Sequence, residues 1–437
     1  MRKLLKFTVL LVILGGIVTT IALLSAKASP LTGDVPHDQT LIDKGAYLAI
    51  AGDCTACHTA NGGKAFAGGL PMPIPMLGHI YASNITPDHE TGIGSWSLAE
   101  FDRAVRYGIA KGGKHLYPAM PYVSYAKITD DDMRALYAYF KYGVAPVHQA
   151  TPKSTIVWPF NMRWPVQFWD ILFAPTTSYI AKTDQSPEWN RGAYLVQGLA
   201  HCGTCHTPRG LFMQEKSLDG HKSSFLAGST LGGWEAYNIT SDPHAGIGSW
   251  SADQLTQYLT TGNTPHAQAG GPMGEAVEHS FSKLSSADIH AMVIYIQSLG
   301  PHSDGSSQSR DSYGKPLQVA VLERGYPVDI PDAANLYLGA CASCHQADGL
   351  GSADHYYPSL VHNSTVGARD PNNLIQIIMH GLQRKTSERD QVGMPGFASD
   401  MSDTQIAALT NYVTQQFGNP DAKKVSAGDV KKLRKSE

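Results

Sequence analysis

HCGTCHTPRG (residues 201–210) holds two of the chain's six cysteines, and a histidine follows the second directly. CTACH (54–58) and CASCH (341–345) repeat the pattern and account for the other four. Every cysteine of a 437-residue chain therefore lies in one five-residue motif used three times. Structural disulfides staple distant segments and have no use for a following histidine. Structural zinc wants four ligands, commonly two separated pairs, and three copies leave one pair over. Cys-x-x-Cys-His reads instead as a haem attachment motif. Both thiols become thioethers to the porphyrin, and the histidine is the proximal iron ligand. Cys54, Cys57, Cys202, Cys205, Cys341 and Cys344 are the expected attachment points, with His58, His206 and His345 on the metal.

Composition fits a multidomain globular chain. Lys plus Arg number 34 against 37 Asp plus Glu, a net charge of −3, which lacks the basic excess of a nucleic-acid binder. The hydrophobic fraction of 42% suffices for several cores, and 43 glycines with 26 prolines announce many loops. The N-terminus runs MRKLLK, a 19-residue uncharged stretch, then AKASP. That pattern fits an export signal cut after Ala28, and the apolar stretch is also long enough to serve as a retained anchor. Either way the remainder is expected outside the cytoplasm.

Outward from the motifs, the first two thirds of the chain are duplicated. NITPDHETGIGSWSLAEFDRAVRYG (84–108) aligns without gaps to NITSDPHAGIGSWSADQLTQYLTTG (238–262), with eleven of 25 positions identical. KGAYLAIAGDCTACH (44–58) parallels RGAYLVQGLAHCGTCH (191–206), and DDDMRALYAYFKYG (130–143) parallels SADIHAMVIYIQSLG (286–300). Each unit reads as a helix entering the motif, a Gly/Pro-rich loop, a middle helix after GIGSWS, a methionine loop and a last amphipathic helix. ITDDD and LSSAD place Thr, Ser and Asp at N-caps. A third, divergent unit uses ANLYLGACASCH, PNNLIQIIMHGL and SDTQIAALTNYVTQQFG.

The expected boundaries are a signal or anchor over 1–29, then domains over 30–150, 186–300 and 331–420. Linkers occupy 151–185 and 301–330, and a basic tail occupies 421–437. Residues 151–175 carry three of the seven tryptophans. A strap packed between the first two domains is the plain reading of this segment, and an exposed apolar surface for a partner or membrane the sharper one. The tail, with six Lys/Arg against three acids, reads as solvated.

An electron carrier needs the sixth iron position filled, and methionine opposite histidine raises the potential. Met120, in YPAMPY, is stiffened by flanking prolines. Its rivals are Met72 and Met76, while Met133 reads as core. Met273 holds the equivalent place in the second unit, with Met213 and Met292 as bystanders. Met394 is chosen in the third, over Met379 and Met401. His115, His266 and His279 read as ordinary surface histidines. Gly45, Gly192 and Gly339 read as close helix crossings, with Tyr47, Tyr194 and Tyr337 beside them and Tyr139, Tyr295 and Tyr412 filling the contact. Trp96 and Trp250 read as core rather than pocket lining.

CASCH with MPGF and IAALTNYV resembles a class I cytochrome c domain. Three in tandem, the first two with NIT…D…GIGSWS, resemble the three-haem cytochrome c subunit of bacterial membrane-bound periplasmic dehydrogenases acting on alcohols, sugars or aldehydes. The likeness covers about residues 38–418. It implies a mainly α fold of three tandem cytochrome c-like domains, each a few helices around a covalently attached haem c. It implies Met120, Met273 and Met394 as distal ligands. It also implies a separate flavin, quinoprotein or molybdenum subunit that oxidises the donor, with a small third subunit as a further partner. Electrons would pass to ubiquinone at the periplasmic face of the inner membrane, and the chain would not be an enzyme by itself. The competing readings are a free-standing carrier, a terminal-oxidase haem subunit, and a haem peroxidase or reductase with an open iron.

Overall fold

The computed structural model describes residues 15–16, 29–74, 76–318, 332–354, 356–386 and 392–435. Apart from Gly15, Gly16 and Ser29, the expected signal or anchor lies outside the described residues. The chain divides into two compact units, Met1–Ala49 with Cys57–Ala181, and Ile50–Ala56 with Lys182–Glu437. Both are mainly helical, with short two-stranded antiparallel hairpins as the sheet content among the described residues.

α1 (Gln39–Ala51) leads into the motif helix α2 (Cys54–His58), and residues 50–56 of this stretch are counted with the second unit. A hairpin of β1 (Pro71–Ile74) and β2 (Gly78–Tyr81) follows, then α3 (Leu98–Tyr107), the short α4 (Tyr122–Tyr125), α5 (Asp130–Ala138) and α6 (Trp164–Phe173). The GIGSWS segment is a helix start. Ser97 Oγ accepts from the Glu100 N–H, and the Glu100 carboxylate accepts from the Ser97 N–H, which satisfies two otherwise orphaned donors. Gly108, at φ 66°, closes α3 in the left-handed region. A Cβ on Gly92 or Gly94 would overlap the carbonyls of Thr86 and Pro87, so these two glycines are sterically required. α1 crosses α5 at Gly45, where a Cβ would overlap the Ala135 carbonyl, and Lys44 Nζ meets Asp132 Oδ1 at 2.6 Å beside the crossing.

The second unit repeats this plan. α7 (Pro187–Tyr194) enters the motif helix α8 (Cys202–His206). The hairpin β3 (Ser229–Leu231)/β4 (Trp234–Ala236) and α9 (Ala252–Thr261) follow. After them come the hairpin β5 (Asn263–Thr264)/β6 (Ala267–Gln268), α10 (Gly271–His279) and α11 (Ser286–Gln297). Ser251 and Gln254 form the same capping box, and Gly262 the same left-handed stop. Gly192 crosses α11 against the Ala291 carbonyl, and Arg191 pairs with Asp288 through two 2.7 Å bonds. The second motif follows its tyrosine by one residue more than the first does. The wide π-helical turn Leu195–Leu199 absorbs that residue between Tyr194 and Cys202.

The same unit contains α12 (Asp332–Ala340), α13 (Ala342–His345), α14 (Asn372–His380), the hairpin β7 (Leu382–Arg384)/β8 (Val392–Met394), α15 (Asp403–Phe417) and α16 (Ala427–Arg434). Tyr337, Leu374, Ile378, Ile406, Val413 and Phe417 lie in its core. This segment docks on the preceding one through paired polar contacts. Asn373 Nδ2 donates to the Glu235 carbonyl and its Oδ1 accepts from the Glu235 N–H, at 2.9 and 2.8 Å. The buried Arg384 donates to the Ala269 carbonyl at 2.6 Å.

Two expectations change. Gly339 is no crossing point, since a Cβ there meets nothing, and α12 contacts α15 through Tyr337 against Tyr412 and Phe417 at 5.7 and 5.0 Å instead. The basic tail is no solvated coil. Ser426 and Asp429 box the start of α16, Val430 and Leu433 enter the core, and Arg434 Nε donates to Asp403 at 2.9 Å. The 151–175 segment presents both faces. Trp158, Trp164 and Leu172 are 75%, 62% and 72% exposed, while Ile156 and Asp170 turn inward.

Candidate haem-binding sites

Each motif histidine is oriented the same way. His58 Nδ1 donates to the Ser83 carbonyl at 2.7 Å, His206 Nδ1 to the Tyr237 carbonyl at 2.7 Å, and His345 Nδ1 to the Pro358 carbonyl at 2.9 Å. A carbonyl oxygen only accepts, so Nδ1 carries the proton and Nε2 presents its lone pair. Burial lowers the pKa of all three rings and keeps them neutral, the form that binds a metal. Their own carbonyls accept from the N–H groups of Gly68, Gly228 and Gly351, at 2.8, 2.7 and 3.0 Å. Those glycines have φ of 72°, 91° and 71°, a turn that a side chain would strain.

The duplicated Asn-Ile-Thr segment explains how two of these carbonyls are held. Asn84 follows Ser83 directly. Its Oδ1 accepts from the N–H and hydroxyl of Thr86 at 2.9 and 2.7 Å, and its Nδ2 donates to the Val147 and Gln149 carbonyls. Asn238, after Tyr237, does the same with Thr240 at 2.8 and 2.7 Å, and donates to the His302 carbonyl. Asp88 and Asp242 then cap the next turn through the N–H groups of Thr91 and Ala245, both at 2.7 Å. The repeat is thus a side-chain-to-backbone lock that positions the acceptor of the proximal histidine. The third unit has no such segment and uses Pro358.

In the second unit a cavity of 260 Å³ gathers the expected residues. Cys202, Cys205, His206 and Met273 all line it, with Trp250, Met292 and Ile296 among the apolar wall. Trp250 therefore lines a pocket, contrary to the core reading, and its Nε1 donates to Asp311 at 2.8 Å. Ser364, Thr365, Asn373 and Ile377, from the third motif's segment, complete the wall. Burial pushes Cys202 up to about 12 and Cys341 up to about 11, so these thiols resist becoming thiolate ligands. A thioether has no such charge to bury, and all six cysteines are free of disulfides.

Arg310, which the sequence reading missed, also lines this cavity. It lies over the Tyr237 ring at 4.2 Å and donates from Nη1 to the Ala245 carbonyl at 2.9 Å. Its Nε is buried with no hydrogen-bond partner among the described residues, and burial lowers its pKa. A half-buried cation with a shielded, idle donor beside an apolar slot fits a flat ligand carrying carboxylates, as a haem does.

Met120 is half-buried in the loop before α4, its N–H donating to the Tyr117 carbonyl at 3.2 Å. Met394 is half-buried on β8, paired with Leu382. Of the rivals, Met76 is 99% exposed, whereas Met133, Met292, Met379 and Met401 are buried. Met72 sits on β1 and Met213 is exposed. His115 and His266 are engaged with Asp170 and with the His362 carbonyl, at 2.6 and 3.2 Å. Tyr137 donates to the Trp96 carbonyl at 2.7 Å.

Residues 42–143 and 331–416 match the cytochrome c family. The chain is 44% identical to the fructose dehydrogenase cytochrome subunit of Gluconobacter japonicus, over 90% of this chain and 82% of that one. It is 43% identical to the gluconate 2-dehydrogenase cytochrome c subunit of Pantoea cypripedii, over 93% and 92%. It is 42% identical to the cytochrome c subunit of alcohol dehydrogenase (quinone) of Gluconacetobacter polyoxogenes, over 94% and 88%. The three cysteine pairs, set against this kinship, correspond to three covalently bound haem c groups. With such identity along nearly its whole length, the chain belongs to the cytochrome c family, among the cytochrome subunits of dehydrogenases.

Proposed function

We propose that this chain is the electron-transfer subunit of a membrane-bound dehydrogenase, exported to the periplasmic face of the inner membrane. A separate catalytic subunit oxidises an alcohol, sugar or aldehyde donor, and electrons leave toward a quinone. The observation that carries this reading is the proximal arrangement repeated three times, a half-buried histidine with Nδ1 tied to a carbonyl. Haem c supplies a one-electron couple at each site.

The chain's own residues do the rest. Six cysteines anchor the groups, and His58, His206 and His345 offer Nε2. Met120, Met273 and Met394 close the opposite sides, so that neither oxygen nor substrate coordinates. Apolar walls keep water out, which limits rearrangement when the charge changes. The three haem domains span 30–150, 186–300 and 331–420. The exposed aromatics of 158–172 support a membrane-facing side, and a small third subunit is a further expected partner.

The test is purification of the complex from membranes. A large dehydrogenase subunit should travel with this chain, and mass measurement should find three added porphyrins. A chain that purifies alone, or with fewer porphyrins, overturns the reading. Met120→Ala, Met273→Ala and Met394→Ala should each remove one methionine-ligated low-spin signal, and an unchanged spectrum reassigns that ligand.

A further inference from the structure

A second cavity, of 340 Å³, lies in the first unit beside α6. One end is polar. Asp170 is 2% exposed and accepts from His115 Nδ1 and from the Tyr122 hydroxyl, both at 2.6 Å. That leaves Nε2 as the ring nitrogen of His115 that can meet a ligand. The other walls are flat and apolar, from Trp164, Ile109 and Ile171. Arg163, Lys114 and Arg103 add positive charge around it. Arg163 is itself fixed, its guanidinium 3.5 Å from the centre of the Tyr117 ring.

Two placements give this cavity meaning. Trp164 belongs both to its wall and to the exposed apolar run with Trp158, Phe160 and Leu172, so a molecule with a greasy tail meets the cavity from an apolar surface. His115 lies five residues before Met120 on one loop, within about 18 Å by chain length alone.

We infer that this cavity is the quinone-reduction site of the chain, with His115, held by Asp170, as the group that hydrogen-bonds a quinone carbonyl. The inference rests on quinone as the acceptor proposed above. The reaction takes two electrons and two protons, and each of two C=O groups becomes C–OH. The chain's electron transfer supplies the electrons, and solvent supplies the protons by way of His115. With Nδ1 held by the carboxylate, Nε2 is the atom that relays each proton, taking it from water and passing it to a quinone oxygen. Trp164 stacks on the ring. The surrounding cations favour the negative charge that builds on the quinone oxygens as electrons arrive and before the protons follow. A hydrophobic slot with one convergent polar end is the usual form of such a site.

The experiment uses the whole haem-loaded chain, reduced chemically and mixed with a short-chain ubiquinone while the ferrous band is followed. His115→Gln and Asp170→Asn should slow quinone-dependent reoxidation about tenfold, and Trp164→Ala should raise the quinone concentration giving half the maximal rate about tenfold. Reoxidation by ferricyanide, which needs neither a pocket nor a proton, should be unchanged in all three, as should the ferric and ferrous spectra. Equal quinone rates in wild type and all three variants overturn the site and leave quinone as acceptor. Absence of quinone reoxidation in the wild type overturns the acceptor reading itself. Parallel loss with ferricyanide in every variant also overturns the site, because the residues would then act on the fold rather than on quinone.

Discussion

Asn238 is buried and directly follows Tyr237, whose carbonyl orients His206. Asn238→Ala removes the acceptor for two Thr240 donors and should cost about 1–3 kcal/mol. Denaturation of the haem-loaded chain measures that cost, and the spectrum of the second site should change with it. Arg310→Gln removes a half-buried cation beside the same cavity. Positive charge disfavours the ferric form, so the second site's midpoint potential should fall, on the scale of the 59 mV that is tenfold for one electron. A redox titration that leaves all three potentials in place would refute Arg310 as a partner of the group. The attachment residues were legible because covalent chemistry dictates their spacing. Their hydrogen-bond acceptors were not, because they come from 25, 31 and 13 residues further along the chain. The signal for two of them was nonetheless present, as the Asn-Ile-Thr that begins each copy of the repeat.

Helix starts and crossings follow local rules, and most were readable. Thr129 and Ser285 accept from Asp132 and Asp288 N–H groups as the ITDDD and LSSAD patterns required. Gly192 meets backbone rather than a movable side chain. Gly192→Ala should therefore force α7 and α11 apart and cost about 1–3 kcal/mol, seen as a lower melting temperature of the haem-loaded chain. The π turn Leu195–Leu199 keeps Gly192 and Cys202 in their places despite the added residue, and Gln197 within it donates to Tyr295 at 2.5 Å. Composition misled on α16. Its two apolar residues stand three apart among charges, a stripe too thin to recognise before its partner helices are known. Val430→Asp puts a carboxylate in the core and should cost about 3 kcal/mol or more. Chemical denaturation should show the loss, whereas a solvated tail would show none. The 151–175 run was left open between a packed and an exposed reading, since aromatic content says nothing about which side of a helix meets water.

At the scale of the molecule, three motifs announced three sites, and the repeat announced that two share one plan. The chain nonetheless divides into two compact units, with the second and third motifs in one. Sequence repeats record copying, whereas compactness records which surfaces stay together, and the contacts of Asn373 and Arg384 lie between distant segments that no local pattern ties.

The borrowed wall of the second cavity has a practical outcome for anyone dissecting this polypeptide. Ser364, Thr365, Asn373 and Ile377 reach it from beyond the linker, so residues 186–300 produced alone would leave that slot open to water on one flank. The smallest fragment expected to mature with an intact middle centre thus runs from about residue 186 to residue 420. Within that fragment, replacing the C-terminal portion would retune a centre it never covalently holds.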